Sequence, residues 1–160
     1  MPIRCTFALN SQQTSVLSCP GVGLMTAFSG QKSGRDNPAA ADKEDIGPIP
    51  PGTYYIIDRQ SGGRLGVLHD FWNAHGVGTT DRRKWFTLWN PKTGDTTIVN
   101  GVKRGSFRLH PMGLLHLSEG CITVVNPQQF DNLATYLRSR GPDTPVPGSG
   151  SKAYGTVDVK

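Results

Sequence analysis

Hydrophobic and polar residues alternate from the first positions of the chain. Ile3, Cys5, Phe7 and Leu9 are separated by Arg4, Thr6 and Ala8, the period of two expected of half-buried strands. Together with Ser15 to Leu17, Leu24 to Phe28 and a turn at Asn10 and Ser11, this makes residues 1–29 a small β-meander. Thr53 to Asp58 is β-branched and aromatic, a composition that suits a pleated surface. Trp85 to Trp89 follows as a strand, Asn90 to Gly94 as a hairpin turn and Thr96 to Val99 as its return. Phe107 to His110 and the apolar run Cys121 to Val125 add two strands, with Pro111 and Gly113 turning the chain between them as a strand-turn-strand return. One helix is expected. Asn126 caps it, Pro127 opens it, and Phe130, Leu133, Ala134 and Leu137 fall at i, i+3, i+4 and i+7 before Arg138, Arg140 and Gly141 end it. A Pro/Gly/Ser linker at 141–151 leads to a last strand within Tyr154 to Val159. The pattern predicts a mainly β fold, a sandwich or barrel with one helix in the C-terminal half.

Two stretches break the periodicity. Residues 31–45 are turn formers and charges, and residues 68–85 carry His69, Phe71, Trp72, His75 and the basic run Arg82-Arg83-Lys84. Both are expected as long loops capping the core. The 160 residues suffice for a single domain, 1–160. Glycine and proline number 20 and 12 and charged residues make up only 18%, a mixture that favours short strands and turns and excludes a coiled coil. Three Trp, six Phe and four Tyr seed a core, which argues against wholesale disorder.

The net charge of +5 helps approach to any anionic polymer without naming one, and Arg82-Arg83-Lys84 without a wider basic stripe reads as a solvated loop rather than a nucleic-acid clamp. No apolar run approaches the roughly 20 residues that span a bilayer, and the alternating start lacks the unbroken apolar region of a secretory signal. The expectation is a protein made in the cytoplasm, with no membrane span and no nucleic-acid partner. Cys5 and Cys19 have two readings, a disulfide in an oxidising compartment or two buried thiols.

The chemistry concentrates between Phe107 and Thr123. Cys121 follows a glycine at the head of a buried strand, where its N–H and that of Gly120 can face a developing oxyanion, and Gly120 lets a substrate backbone approach. Attack by sulfur needs a thiolate, hence a histidine or other positive group beside it. His110, eleven positions earlier, comes alongside Cys121 if the two strands return on each other, and His116 lies in the loop between. Taken singly, Cys121 reads as a buried inert residue and His110 as a strand-end histidine satisfied by a backbone carbonyl. His69, His75, His110, His116 and Cys121 form a pool of metal ligands, but no metal-site spacing joins them. A phosphate loop, a dinucleotide fingerprint and a serine-nucleophile elbow are absent. No cofactor and no metal are expected.

These residues also carry a resemblance. Ser118-Glu-Gly-Cys121-Ile resembles the Ser-x-Gly-Cys signature of L,D-transpeptidases of the YkuD type, cysteine enzymes of peptidoglycan stem peptides, and Gly47-Pro-Ile-Pro-Pro-Gly-Thr-Tyr-Tyr-Ile56 is similar to the Pro-x-Gly-x-Tyr strand before their active site. The likeness is closer to the shorter type VI secretion L,D-transpeptidase effectors. Their succession of motifs is matched by residues 5–10, 27–30, 47–50, 62–66, 108–111 and 118–123. The resemblance implies an L,D-transpeptidase-like fold. It implies an antibacterial L,D-carboxypeptidase and L,D-transpeptidase, exchanging D-amino acids on tetrapeptide stems in the target-cell periplasm. It further implies Cys121 as nucleophile, His110 as general base and later acid, Ser118 and Gly120 as shapers of the catalytic turn, and an immunity protein and a secretion machine as partners. The broader family has histidine at Glu119, arginine at Thr123 and a longer gap between its histidine and cysteine. With that arginine missing, Arg108 or the Arg82-Arg83-Lys84 group is the substitute expected for the substrate carboxylate, and His116, Glu119 and Thr123 are the other candidate substrate contacts. The rival readings are another Cys-His amidase or peptidase of the cell wall, and a non-catalytic wall-binding module with Cys121 in its core.

Overall fold

The computed structural model describes residues 2–58, 84–113 and 118–160. Most of the expected 68–85 cap, His69, His75, His116 and the matched stretch 62–66 therefore lie outside the described residues. Within them the chain is mainly β, with twelve strands and one α-helix.

Eight strands close into a barrel in the order β1 (Ile3–Phe7), β12 (Gly155–Val159), β4 (Gly52–Asp58), β5 (Phe86–Trp89), β8 (Arg108–Pro111), β9 (Ile122–Val124), β3 (Gly23–Ser29), β2 (Ser15–Cys19) and back to β1. The alternation that predicts β1 is what the barrel uses: Ile3, Cys5 and Phe7 point inward and are buried while Arg4 and Thr6 are exposed. Val157 and Val159, Tyr54 and Ile56, Phe86 and Leu88, Leu109, Ile122 and Val124, Met25 and Ala27, and Leu17 complete the interior. The expected meander is present as β1, β2 and β3, each antiparallel to the next.

Helix α1 (Pro127–Arg140) follows β9 directly. The Asn126 side chain accepts N–H bonds from Gln128 at 2.9 Å and Gln129 at 3.4 Å, and Phe130, Leu133, Ala134 and Leu137 are buried in the core as their spacing predicts.

Three readings of the sequence need correction. Thr96–Val99 (β6) does not return along β5. It pairs instead with β7 (Val102–Gly105) in a hairpin of its own, turned at Asn100 (φ 49°) and Gly101 (φ 79°), while Asn90 and Gly94 bridge at the end of β5. Two successive residues in the left-handed region make the primed turn whose twist matches a two-residue hairpin. Secondly, β8 and β9 are not a strand-turn-strand return. They run parallel, with Leu109 opposite Ile122 and His110 opposite Thr123, and Pro111 belongs to β8. Pro111 lacks an N–H, but its neighbour Met112 donates to Val124 O at 2.8 Å and carries the ladder on. Thirdly, the 141–151 stretch is more than a linker. Thr144–Pro145 (β10) pairs with Lys152–Ala153 (β11), and Val146 and Ala153 cover Ile57 on the outer side of β4. The 31–45 stretch holds two short 3-10 turns, Lys32–Gly34 and Pro38–Ala40, and buries Gly34, Asp36, Ala40 and Ala41, so it is packed into the molecule.

The two readings of Cys5 and Cys19 resolve into a disulfide. The residues face each other across the β1–β2 pair, with Cα atoms 4.3 Å apart.

Candidate active site

All four residues of β8 and all three of β9 are buried. Leu109, Ile122 and Val124 look into the barrel, so by the period of two Arg108, His110 and Thr123 look the other way. Cys121, two residues before Thr123 and next to the start of β9, falls on that same outer face. The parallel register, not a return, sets His110 opposite Thr123, with Cys121 two residues before Thr123. His110 is carried by β8 itself, and Cys121 by the turn that leads into β9.

His110 is fixed from several directions. Its Nδ1 donates to the carbonyl of Pro111 at 2.8 Å, which leaves Nε2 as the unprotonated nitrogen, and the Thr123 hydroxyl faces that Nε2 at 3.5 Å. Trp85 stacks on the imidazole with ring centroids 4.4 Å apart. Burial lowers the imidazole pKa to about 4, against the partly offsetting bond to Pro111, so the ring is neutral at physiological pH. Cys121 is 4% exposed and is the free cysteine. Burial pushes its thiol up to about 11, although the Arg108 backbone N–H and guanidinium pull the other way. Its sulfur reaches Ser106 O at 4.0 Å. Ser106 has φ 59°, a left-handed corner that turns the chain from β7 into β8. Both partners are thus uncharged at rest.

Ser118 is a clamp on the turn. Its hydroxyl donates to Cys121 O at 2.7 Å and accepts from Gly30 N at 3.2 Å, tying the 118–123 stretch to the end of β3. Gly120 has φ 107°, a conformation side chains rarely adopt, and a Cβ there would sit 2.7 Å from Arg104 Nη2 and 2.8 Å from Phe107.

Among the candidate substrate contacts, Arg108 is 4% exposed and gives both terminal nitrogens to Asp95, at 2.6 and 3.0 Å. Both terminal nitrogens of the fork are thus committed to Asp95, while its buried Nε has no hydrogen-bond partner. Thr123 is fully buried against His110, and Glu119 lies close enough to raise the Cys121 pKa. Of the basic run, Lys84 is described, exposed and 3.8 Å from Asp131. Among the described residues no three metal-ligating side chains converge.

Sequence reasoning missed Trp85 as a partner of His110, and it missed Ser106, Asp95 and Arg104. The last three sit on or beside the β6–β7 hairpin, whose signal, Asn100-Gly101 after the β-branched run Thr96 to Val99 and before Val102, is present in the sequence.

The Tlde1 domain pattern matches residues 23–149, from β3 to the loop after β10. No curated protein matches the chain. No helix among the described residues is long and apolar enough to cross a membrane.

Proposed function

The chain belongs to the Tlde1 domain family of L,D-transpeptidase-like type VI secretion effectors, and on that premise we propose that this antibacterial, peptidoglycan-directed protein is a cysteine L,D-carboxypeptidase and D-amino acid exchanger on tetrapeptide stems. The observation that carries the reading is the outer face of β8–β9. There Cys121 shares a side with His110, and Pro111 O holds the imidazole in the tautomer whose Nε2 accepts a proton.

The reaction starts from two neutral groups. As the sulfur attacks the carbonyl between the third residue and the terminal D-alanine, its proton passes to His110 Nε2, so no thiolate has to persist in a buried site. The N–H groups of Gly120 and Cys121 receive the oxyanion. Collapse breaks the peptide C–N bond, His110 returns the proton to the departing D-alanine amine, and a thioester remains on Cys121. Water then gives the tripeptide, and a free D-amino acid gives the exchanged stem. In each case His110 takes the acceptor's proton and the thiol recovers it. Ser118 keeps the Cys121 carbonyl and the turn in place throughout. Stem peptides, D-amino acids, the secretion machine and a cognate immunity protein are the partners, and the target-cell periplasm is the site of action.

Mass spectrometry of purified sacculi tests this. The wild type converts tetrapeptide to tripeptide muropeptides and incorporates added D-methionine, and Cys121→Ala, folded by circular dichroism, does neither. Unchanged conversion by Cys121→Ala would sink the cysteine mechanism. Cleavage elsewhere in the stem would favour an amidase or peptidase, and binding of sacculi without conversion would favour a wall-binding module.

A further inference from the structure

Arg104 is an arginine 3% exposed on β7, and among the described residues no carboxylate forms an ion pair with it. Its guanidinium is held by backbone instead. Nη1 donates to Ala41 O and, at 3.3 Å, to Pro48 O, and Nη2 donates to Gly47 O at 3.1 Å. The Phe107 ring lies 5.6 Å from it. On either side stands a glycine. A Cβ at Gly47 would meet Nη1 at 2.9 Å and a Cβ at Gly120 would meet Nη2 at 2.7 Å, so both main chains approach as closely as they do because neither residue has a side chain. This is a built socket. It joins the 41–48 stretch, the β6–β7 hairpin and the turn that carries Cys121.

We propose that Arg104 is a positioning residue of the Cys121 site: its fork pins the Gly47 segment against Gly120, and its unpaired positive charge favours anionic sulfur and the anionic intermediate at the next residue. The proposal rests on Cys121 being the nucleophile. Burial lowers the pKa of the guanidinium, while Tyr54, Glu44, the Cys121 sulfur and Asp42 act to keep its proton on. By reciprocity, the interaction by which ionised sulfur holds that proton is the interaction by which the guanidinium favours ionised sulfur. Around the sulfur itself, Arg108 favours ionisation, and Glu119 and Asp95 oppose it. Arg108 is also paired with Asp95. Arg104, by contrast, forms no ion pair with a carboxylate among the described residues.

The test compares Arg104→Gln and Arg104→Lys with the wild type, using iodoacetamide alkylation of Cys121 between pH 7 and about 9.5. The Cys5–Cys19 disulfide silences the other two sulfurs, and the readout is independent of any cell-wall substrate. Loss of the charge leaves less thiolate, partly compensated by the higher nucleophilicity of a more basic sulfur, so Arg104→Gln is expected to react about threefold more slowly at each pH. Arg104→Lys, which keeps the charge and loses the fork, is expected within about twofold of wild type while melting at a lower temperature. Its profile should bend a second time where the buried ammonium loses its proton. Equal rates for Arg104→Gln and wild type overturn the proposal, as does an equal slowing by Gln and Lys, or a wild-type thiol that never reacts. If Arg104→Gln does not fold, Arg104→Lys decides alone: a profile without the second bend overturns it. Failure of the parent reading shows separately, as muropeptide conversion that survives Cys121→Ala.

Discussion

The three cysteines occupy two regions of one barrel. Cys5 and Cys19 are each 1% exposed and Cys121 is 4% exposed, so burial does not separate them. The face does. Cys5 and Cys19 look inward from neighbouring strands and meet each other among Phe7, Leu17 and Val157. Cys121 lies on the outer side, where its sulfur meets the Ser106 carbonyl and the Arg108 N–H and guanidinium, next to the face that carries His110 and Thr123. One pair of sulfurs closes a loop, the third stays a free thiol, and a one-residue change of parity along β9 would exchange one environment for the other.

The contrast can be broken first at the pair to which we assign the chemistry. His110→Gln keeps a hydrogen-bonding side chain and removes the base, and muropeptide turnover is expected to fall about a hundredfold to ten-thousandfold with little change in melting temperature. The wild-type pH profile sharpens the same point. Burial makes the imidazole hard to protonate, so the acid limb of kcat/KM is expected near 4, the base being lost as pH falls through that value. A limb near that of free histidine would mean that the ring works in contact with water.

At the inert end, Cys5→Ser with Cys19→Ser frees a loop of 14 residues. It is expected to cost about 3 kcal/mol in denaturant unfolding and to leave turnover of the folded protein unchanged. Loss of turnover at temperatures where the variant is still folded would show that the two regions are coupled. The smallest effect belongs to the clamp between them. Ser118→Ala leaves the Gly30 N–H and the Cys121 carbonyl without their partner, about 2 kcal/mol by urea titration, and turnover should drop as the turn loosens.

What the sequence reveals follows the same division. Strands with one face in the core alternate, and β1 and α1 are legible because Ile3, Cys5 and Phe7, or Phe130, Leu133, Ala134 and Leu137, keep a single period. The β8–β9 pair is buried on both faces and carries no such period, so Pro111 and Gly113 read as a tight turn between antiparallel strands. The candidate pair was singled out through two motifs, Arg108 to Pro111 for His110 and Ser118 to Thr123 for Cys121. Arg104 was not, because no motif or period singles out Lys103-Arg104-Gly105, and the carbonyls of Ala41, Gly47 and Pro48 that hold the guanidinium are 56 to 63 residues away in the chain. The disulfide was undecided because its formation depends on the compartment as well as on spacing.

Parallel neighbours cannot be joined by a tight hairpin, so the chain must leave the end of β8 and travel back to the start of β9 before it can lie beside it. The placement of the His110 imidazole opposite Thr123 is then written into strand register and owes nothing to a tight turn.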